Sequence, residues 1–577
     1  MEASNSLQGY DKVEPGQEAV FKRKSRRRYA FLAVSCVVLV AIIVGVAVGV
    51  ASHKKKHDSH SGNGDSLSPA ATLKSICSVT LYPDTCYASI SALEASNTSD
   101  PEVLFRLSLQ VVMDNLSSVK NLPVKLSVNA EKNIEKSALN VCSTVFENAM
   151  DSLNETVSAI GDQNGRGILS SSKIDDLKTW LSSVITNQQT CIDSLQETNS
   201  TSGIFDEIKT ATKNSTEFAS NSLAIVAKFM SKVITLGIPN SRKLLSSHGA
   251  STDYPEWLSA GDRKLLQTNP VPDVTVGAGG VATIAEAIAK IPLQSSKKFI
   301  IYIKAGIYKE RISLSNKMWN VMMYGDGMGK TIITGAASVA DGVTTFATST
   351  VAVTGKNFIA KGITIRNTAG AAKHQAVAMR SGSDMSVYYQ CEFDAFQDTL
   401  YSHSNRQFYS GCSIYGTIDF IFGNAASVFQ SCTIQPRQPM ANQFNTITAQ
   451  GKTDPNQNTG ISIQKCTISA KDSVTALSYF GRPWQPYSAT VIMQSSVSGV
   501  IDKAGWVPWV IGTDPPKTLF YGEYQNSGPG SAVSGRVKWS GYYPSLSLAQ
   551  AQKYTAESLI QASGWLTATS VPYSSGL

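Results

Sequence analysis

"CEFDAFQDTLYSHSNRQFYSGCSIYGTIDFIFG", residues 391–423, contains one small figure twice. Cys391 is followed seven residues on by Asp398, and Cys412 seven residues on by Asp419, with a C-x-[FI] triplet opening each unit. The triplet recurs at Cys432/Ile434 and Cys466/Ile468, and Ile363-Thr364-Ile365 fills the same slot without a cysteine. Between them lie short alternating apolar runs such as "FIIYIKAGIY", "VMMYG" and "FIAKGITI", broken by Gly, Asn and Ser. Steps of 28, 21, 20 and 34 residues are those of a parallel β-helix with turns of variable length. Equivalent positions in neighbouring coils then lie about 4.8 Å apart, so Asp398 and Asp419 face out side by side. The same stacking puts Cys391, Cys412, Cys432 and Cys466 inside, close enough for a disulfide. Cys412–Cys432 is the favoured pair, and a column of buried free thiols acting as small apolar side chains stands equally open.

Two carboxylates at that spacing cannot both ionise freely near neutral pH, so one should hold its proton more tightly than the other. Such a pair fits a retaining glycosidase, with one nucleophile and one acid/base. It fits equally an ester hydrolase with an aspartate nucleophile, which also needs donors for a tetrahedral oxyanion. Gln397 adjoins Asp398, and Gln375 lies one coil earlier in "KHQAVAMR". Both side-chain amides suit that role. Arg482, in "FGRPW", suits pairing with one aspartate, keeping it ionised and leaving the other protonated. No G-x-S-x-G of the serine-hydrolase type is present. The six histidines form no metal-ligand pattern: His53, His57, His60 and His248 lie outside the two folded regions, and His374 and His403 stand singly, read as hydrogen-bonding or packing residues.

The chain of 577 residues exceeds one hydrophobic core, so two or more domains are expected. Its net charge of +8 is unevenly placed: residues 267–577 hold 24 Lys and Arg against 16 Asp and Glu, while residues 1–266 balance at 27 and 27. A basic C-terminal part suggests a polyanionic partner, whether nucleic acid, anionic lipid or acidic polysaccharide.

Residues 1–28 read as a basic cytoplasmic tail and residues 29–52 as a transmembrane signal anchor, long enough for a hydrocarbon core of about 30 Å. Six basic residues between Lys22 and Arg28 against Lys54, Lys55 and Lys56 place the N-terminus in the cytosol and the rest in the lumen. N-x-[ST] sequons at Asn97, Asn115, Asn154, Asn199 and Asn214 agree with passage through the secretory pathway. Residues 70–236 read as a helical bundle. Phe105, Leu109, Val112, Leu116 and Val119 mark one helix face; Leu177, Trp180, Leu181, Val184, Ile185, Cys191, Ile192 and Leu195 mark another. Its four cysteines allow three pairings, and the short gap favours Cys77–Cys86, leaving Cys142–Cys191. Residues 237–266 form a polar linker with "RKLL" at Arg242–Leu245 and again at Arg263–Leu266, a pattern that suits a luminal processing protease.

The helical stretch, by its four-cysteine order and patterning, resembles the plant invertase and pectin methylesterase inhibitor domain, which implies an all-α four-helix bundle with an N-terminal hairpin. "GIYKE", "HQAVAMR", "QDTLY", "GTIDFIFGNA", "TAQGKTDPNQNTG" and "FGRPW" resemble plant pectin methylesterases over residues 270–577. The resemblance implies an all-β, right-handed parallel β-helix and an aspartyl esterase that uses no cofactor and no metal. Carried onto matching positions, Asp419 is the nucleophile and Asp398 the proton donor and then base. Gln375 and Gln397 stabilise the oxyanion, and Arg482 holds Asp419. Thr345 and Trp484 match substrate-contacting positions; Phe422 and Trp506 either stack on sugar rings or pack. The implied partner is methyl-esterified pectin in the cell wall rather than nucleic acid, with the helical pro-domain silencing the precursor until it is cut. One departure is Gly277-Ala278-Gly279-Gly280, where the family usually has a D-G-S-G-like turn. Two readings compete with the esterase: a pectin glycosidase or lyase, which needs no oxyanion amides, and an N-terminal module acting only in inhibition or retention.

Overall fold

Phe393 lies beside Ile414 and Ile365, Ile414 beside Ile434, and Ile434 beside Ile468, so the apolar slots of the repeat stack coil upon coil. The computed structural model describes residues 68–160, 171–199, 203–231 and 270–577. The tail, the anchor at 29–52 and the linker with both RKLL sites lie outside the described residues. Among the described residues, no helix is long and apolar enough to cross a membrane.

The C-terminal part is a parallel β-helix of three sheets with eleven, seven and eight strands. The seven-stranded sheet, which carries the site, contains β1 (Ile312–Leu314), β2 (Val351–Val353), β3 (Met379–Ser381), β4 (Leu400–Ser402), β5 (Ile421–Gly423), β6 (Asn445–Gln450) and β7 (Ser478–Gly481). Alternation decides what each strand shows. Met379, Leu400 and Ile421 point into the coil, while Tyr401, Phe422 and Ala449 point out. Inside, Tyr388, Tyr409 and Phe429 stack with centroids 4.7 and 4.4 Å apart.

Five successive coils bend at a residue in the left-handed region just before the inward slot: Gly362, Gln390, Gly411, Ser431 and Lys465, with φ from 51° to 63°. The slot that follows suits a small residue, and four of these are cysteines. All four are buried free thiols, so the expected Cys412–Cys432 disulfide is absent. The Cys412 thiol donates to the Tyr388 carbonyl at 3.2 Å and that of Cys432 to the Gln430 carbonyl at 3.3 Å, so each finds an acceptor without leaving its column. In the departing turn, Gly277 and Gly279 have φ of 103° and 80°, and a Cβ on Gly280 would meet the Thr275 carbonyl oxygen at 2.1 Å. The local sequence differs from the family pattern but still demands glycine.

The N-terminal part is helical: α1 (Pro69–Cys77), α2 (Pro83–Ser91), α3 (Pro101–Val119), α4 (Leu122–Ser127), α5 (Asn133–Ile160), α6 (Ser171–Gln196) and α7 (Ile204–Ala224). Asp100 caps α3 by accepting from the Glu102 N–H at 2.8 Å, with Pro101 in the first helical position. Disulfides join Cys77 to Cys86 and Cys142 to Cys191, the second tying α5 to α6. Asn97, Asn154, Asn199 and Asn214 are exposed, while Asn115 is half-buried.

Helix α6 is buried on both sides. Leu177, Leu181, Val184 and Leu195 face the bundle core. Thr179, Ser182, Ser183, Thr186, Asn187 and Thr190 are also buried, several of them against the outer face of the β-helix. One apolar cluster therefore runs from the helices into Phe346, Tyr401, Phe422 and Ala449. Alkylation of the denatured, unreduced protein, followed by peptide mapping, should label Cys391, Cys412, Cys432 and Cys466 and leave Cys77, Cys86, Cys142 and Cys191 unlabelled. A crosslinked Cys412–Cys432 peptide would refute the thiol column.

Candidate active site

Asp398 and Asp419 each sit two residues before a strand of the same sheet, and Leu400 pairs with Ile421, so the two aspartates occupy one slot in consecutive coils. Both adopt the left-handed backbone conformation, at φ 63° and 52°. Non-glycine residues hold that conformation only where surroundings impose it, which is common at functional sites. Thr446, one coil further on, imposes it on Asp419: its hydroxyl accepts the Asp419 N–H at 2.8 Å and donates to Asp419 Oδ1 at 2.6 Å.

The two carboxyls are electrostatically unequal. Arg482 forks onto Asp419 alone, with Nε 2.9 Å from Oδ1 and Nη2 2.6 Å from Oδ2. Such a bidentate pair is charge-assisted and geometrically specific. Burial, with the Asp419 and Glu197 carboxylates nearby, pushes the Asp398 carboxyl well above the ordinary range. Burial works against the Arg482 charge, but Asp419 outweighs it and holds the guanidinium above its usual value. The result is one carboxyl that keeps its proton beside one that is ion-paired.

Both lie in a cavity of about 270 Å³ whose wall includes Gln375, Gln397, Thr345, Phe346, Tyr401, Phe422 and Trp484. Eight of the nine expected site residues thus come together. Phe422 stacks on Tyr401 with centroids 4.2 Å apart, and Trp484 lies 6.2 Å from Phe422. Trp506 is different: it is 1% exposed and packs inside the coil, 4.3 Å from Tyr521. Its packing alternative holds, and the tryptophan of this segment that reaches the cavity is Trp509, with the Arg482 guanidinium 4.2 Å over it. "WVPW" offers two tryptophans three residues apart, and only the turn between them decides which faces out. Sequence reasoning also missed Thr446 and Tyr401; Tyr401 shares the "QDTLY" motif, whereas Thr446 carries no local signal.

The remaining wall belongs to the C-terminal end of α6 and the turn that follows it. Thr190, Asp193, Ser194 and Glu197 close the cavity over the aspartates. Glu197 Oε2 accepts the Thr345 N–H at 2.7 Å. Burial pushes the carboxyls of both Asp193 and Glu197 up to about 7. Around this plug, Arg406 forks onto Asp384 and reaches Asp176 of α6 at 2.7 Å, and Ser220 of α7 donates to Asp454 at 2.5 Å. His403 is buried and meets Thr190 Oγ1 at 2.9 Å. Burial and then Arg380 pull its imidazole down to about 3, so it sits there neutral. His374 is exposed and stands apart from the cavity wall. Among the described residues, no group of three metal-ligating side chains occurs.

The pectinesterase family model matches residues 273–563, and that of plant invertase/pectin methylesterase inhibitor matches residues 71–225. "Pectinesterase 1" of Arabidopsis thaliana is 53% identical over 584 residues, spanning 99% of each chain. "Pectinesterase 3" of Phaseolus vulgaris is 50% identical over 593 residues, spanning all of both. The solved "Pectin methylesterase from Carrot" superposes with a TM-score of 0.52 at 49% identity, covering 54% of this chain and 99% of its own. One family model thus spans the β-helix and the other the helical region, and the chain belongs to the pectinesterase family and carries an N-terminal domain of the inhibitor type.

Proposed function

We propose that this pectinesterase removes methyl esters from cell-wall pectin through an aspartyl acyl-enzyme, and that its helical domain silences it until the linker is cut. The observation that carries the mechanism is the unequal pair: Arg482 and Thr446 orient Asp419, while Asp398 one coil away retains a proton. The Asp419 carboxylate adds to the ester carbonyl, and the developing oxyanion takes hydrogen bonds from the Gln375 and Gln397 amides. Collapse breaks the bond to the methoxyl oxygen, which leaves as methanol with the proton of Asp398. Asp398, now ionised, takes a proton from water as that water attacks the acyl-enzyme. Asp419 departs, the uronic acid is released, and Asp398 is again protonated. Thr345, Trp484 and Phe422 line the sugar path.

Closure by α6 supports the pro-domain reading, since Asp193 and Glu197 occupy the mouth that a polysaccharide needs. Cutting at Arg242–Leu245 or Arg263–Leu266 would free the catalytic part in the secretory pathway. The segment at 29–52 would hold the uncut precursor in the membrane, and Asn97, Asn115, Asn154, Asn199 and Asn214 would accept glycans there.

Methanol release from highly methylated pectin by residues 267–577 should fall by about 10³-fold or more in Asp419→Ala, and should be strongly reduced in the uncut luminal chain. Shortening of the polymer without methanol would instead assign the aspartates to glycosidic cleavage. Thr446→Val should lower kcat about tenfold, the worth of one charge-assisted hydrogen bond; an unchanged kcat would remove Thr446 from the machinery.

The docked carboxyl of Glu197 binds its proton up to about pH 7, against an ordinary 4.5. Docking therefore carries no ionisation penalty below pH 4.5 and acquires its full penalty above about 7. The titratable groups that interact with it are Asp193, Asp398 and Tyr401, and Arg482 lines the same cavity. The activity of the uncut chain relative to the released domain should rise across that window. Because Asp193 is raised to about 7 as well, Glu197→Gln should reduce the rise and leave the part due to Asp193; an undiminished rise in that variant would sink the assignment.

A further inference from the structure

Arg380 lies outside the mechanism just described. It is the central residue of β3, in register with Tyr401 of β4, which is in register with Phe422 of β5. Arg380 therefore shares the outward row of the sheet, at the end of the aromatic platform, one to two coils from the paired aspartates. Its guanidinium lies 3.5 Å over the ring of Phe346, whose other contacts include Tyr401 and the wall of the catalytic cavity.

The side chain is 7% exposed, yet it makes no ion pair among the described residues, and its Nε is buried without a hydrogen-bond partner. It borders a second cavity of about 490 Å³ between α6 and the sheet. The acid nearest in chemistry to a partner, Asp384, is already forked by Arg406, which also takes Asp176. Desolvation, only partly offset by Tyr401, pulls the Arg380 guanidinium down to about 10. A buried cation without an anion is costly, and among the described residues the two acids of the helical domain that border the same cavity are engaged elsewhere, Asp151 by Asn316 and Glu155 by Lys356. Phe346 fixes its plane, so its donors are pre-organised toward the cavity.

We propose that Arg380 is a specificity residue: once the helical domain leaves, it binds a free uronate carboxylate of the polymer whose neighbouring ester lies over Asp398 and Asp419. The ligand class follows from the reaction itself, since each turnover creates a carboxylate on the same chain, and a planar guanidinium matches a carboxylate bidentately. Successive strands are about 4.8 Å apart, so Arg380 and Phe422 stand about 10 Å apart along the row, a reach of a few sugar residues at most. This inference rests on the reading of the outer row as the substrate path. Arg380 is then the residue through which a free carboxylate near the target ester adds to binding.

The test uses residues 267–577, the part that corresponds to the self-standing carrot enzyme, with Arg380→Gln and Arg380→Lys. Two substrates are compared, nearly fully methylated pectin and the same pectin with about half its esters removed; fully de-esterified oligogalacturonate serves as competitor. The preference in kcat/KM for the half-demethylated substrate should fall about tenfold in Arg380→Gln, mainly through KM, and the competitor's inhibition constant should rise about tenfold. Arg380→Lys should fall between. Preference and inhibition constant both within twofold of the unaltered domain would overturn the proposal, because a structural role alone predicts equal losses on both substrates. If Arg380→Gln does not fold, the unaltered domain decides: oligogalacturonate should protect Arg380 from phenylglyoxal, read by peptide mass, and modification at an unchanged rate would refute the proposal. Absence of methanol from the unaltered domain would overturn the esterase reading instead.

Discussion

A single register governs the site: Leu400 lies beside Ile421, and so Asp398 lies beside Asp419. Parallel strand stacking fixes that separation at one strand spacing, too close for two free carboxylates in a buried place. The fold breaks the symmetry with groups from later coils. Arg482, at the end of the strand two coils beyond Asp419, supplies the fork, and Thr446 between them supplies a hydroxyl to both ends of the same residue. Among the described residues no such fork or hydroxyl reaches Asp398, where desolvation and the acidic neighbours outweigh the more distant charge of Arg482. Position in the stack thus separates the two chemical roles of identical residues.

The helical domain meets this site as a neighbour with matched chemistry. Helix α6 buries small hydroxyl and amide side chains against the sheet rather than a second apolar stripe, and these pair with Asn424, Gln457, Asn458 and His403. An interface of that kind is specific but hydratable, so its groups have water to return to when the domains part. At its centre lie two carboxyls, Asp193 on α6 and Glu197 just past its end, brought toward the catalytic acid. Their burial is tolerated when they are protonated and resisted when they are not, so the same contacts that close the site make closure sensitive to pH.

Much of this was legible in residue order. A β-helix announces itself because every coil must fill the same inward slots, so Cys391, Cys412, Cys432 and Cys466 recur along with Phe393, Ile414, Ile434 and Ile468. Asp398 and Asp419 stood out for the same reason, and the helix faces of α3 and α6 followed from their 3.6-residue period. The Cys412–Cys432 pairing failed because spacing allows a disulfide without requiring one. The thiols instead stack as small apolar groups, each with a carbonyl to donate to. Trp506 failed because an aromatic in a turn-rich segment has no period to reveal its direction.

The sequence by itself determined the coil, the paired aspartates, the glutamines beside them and the two-part organisation, because repetition and periodicity are properties of order along the chain. Only the tertiary structure decided which aspartate Arg482 holds, that Thr446 and Trp509 belong to the site, that Asp193 and Glu197 close it, and that Arg380 lies buried over Phe346 with no ion pair among the described residues. Those outcomes depend on contacts between residues tens to hundreds of positions apart, where direction and burial, rather than residue type, set the chemistry.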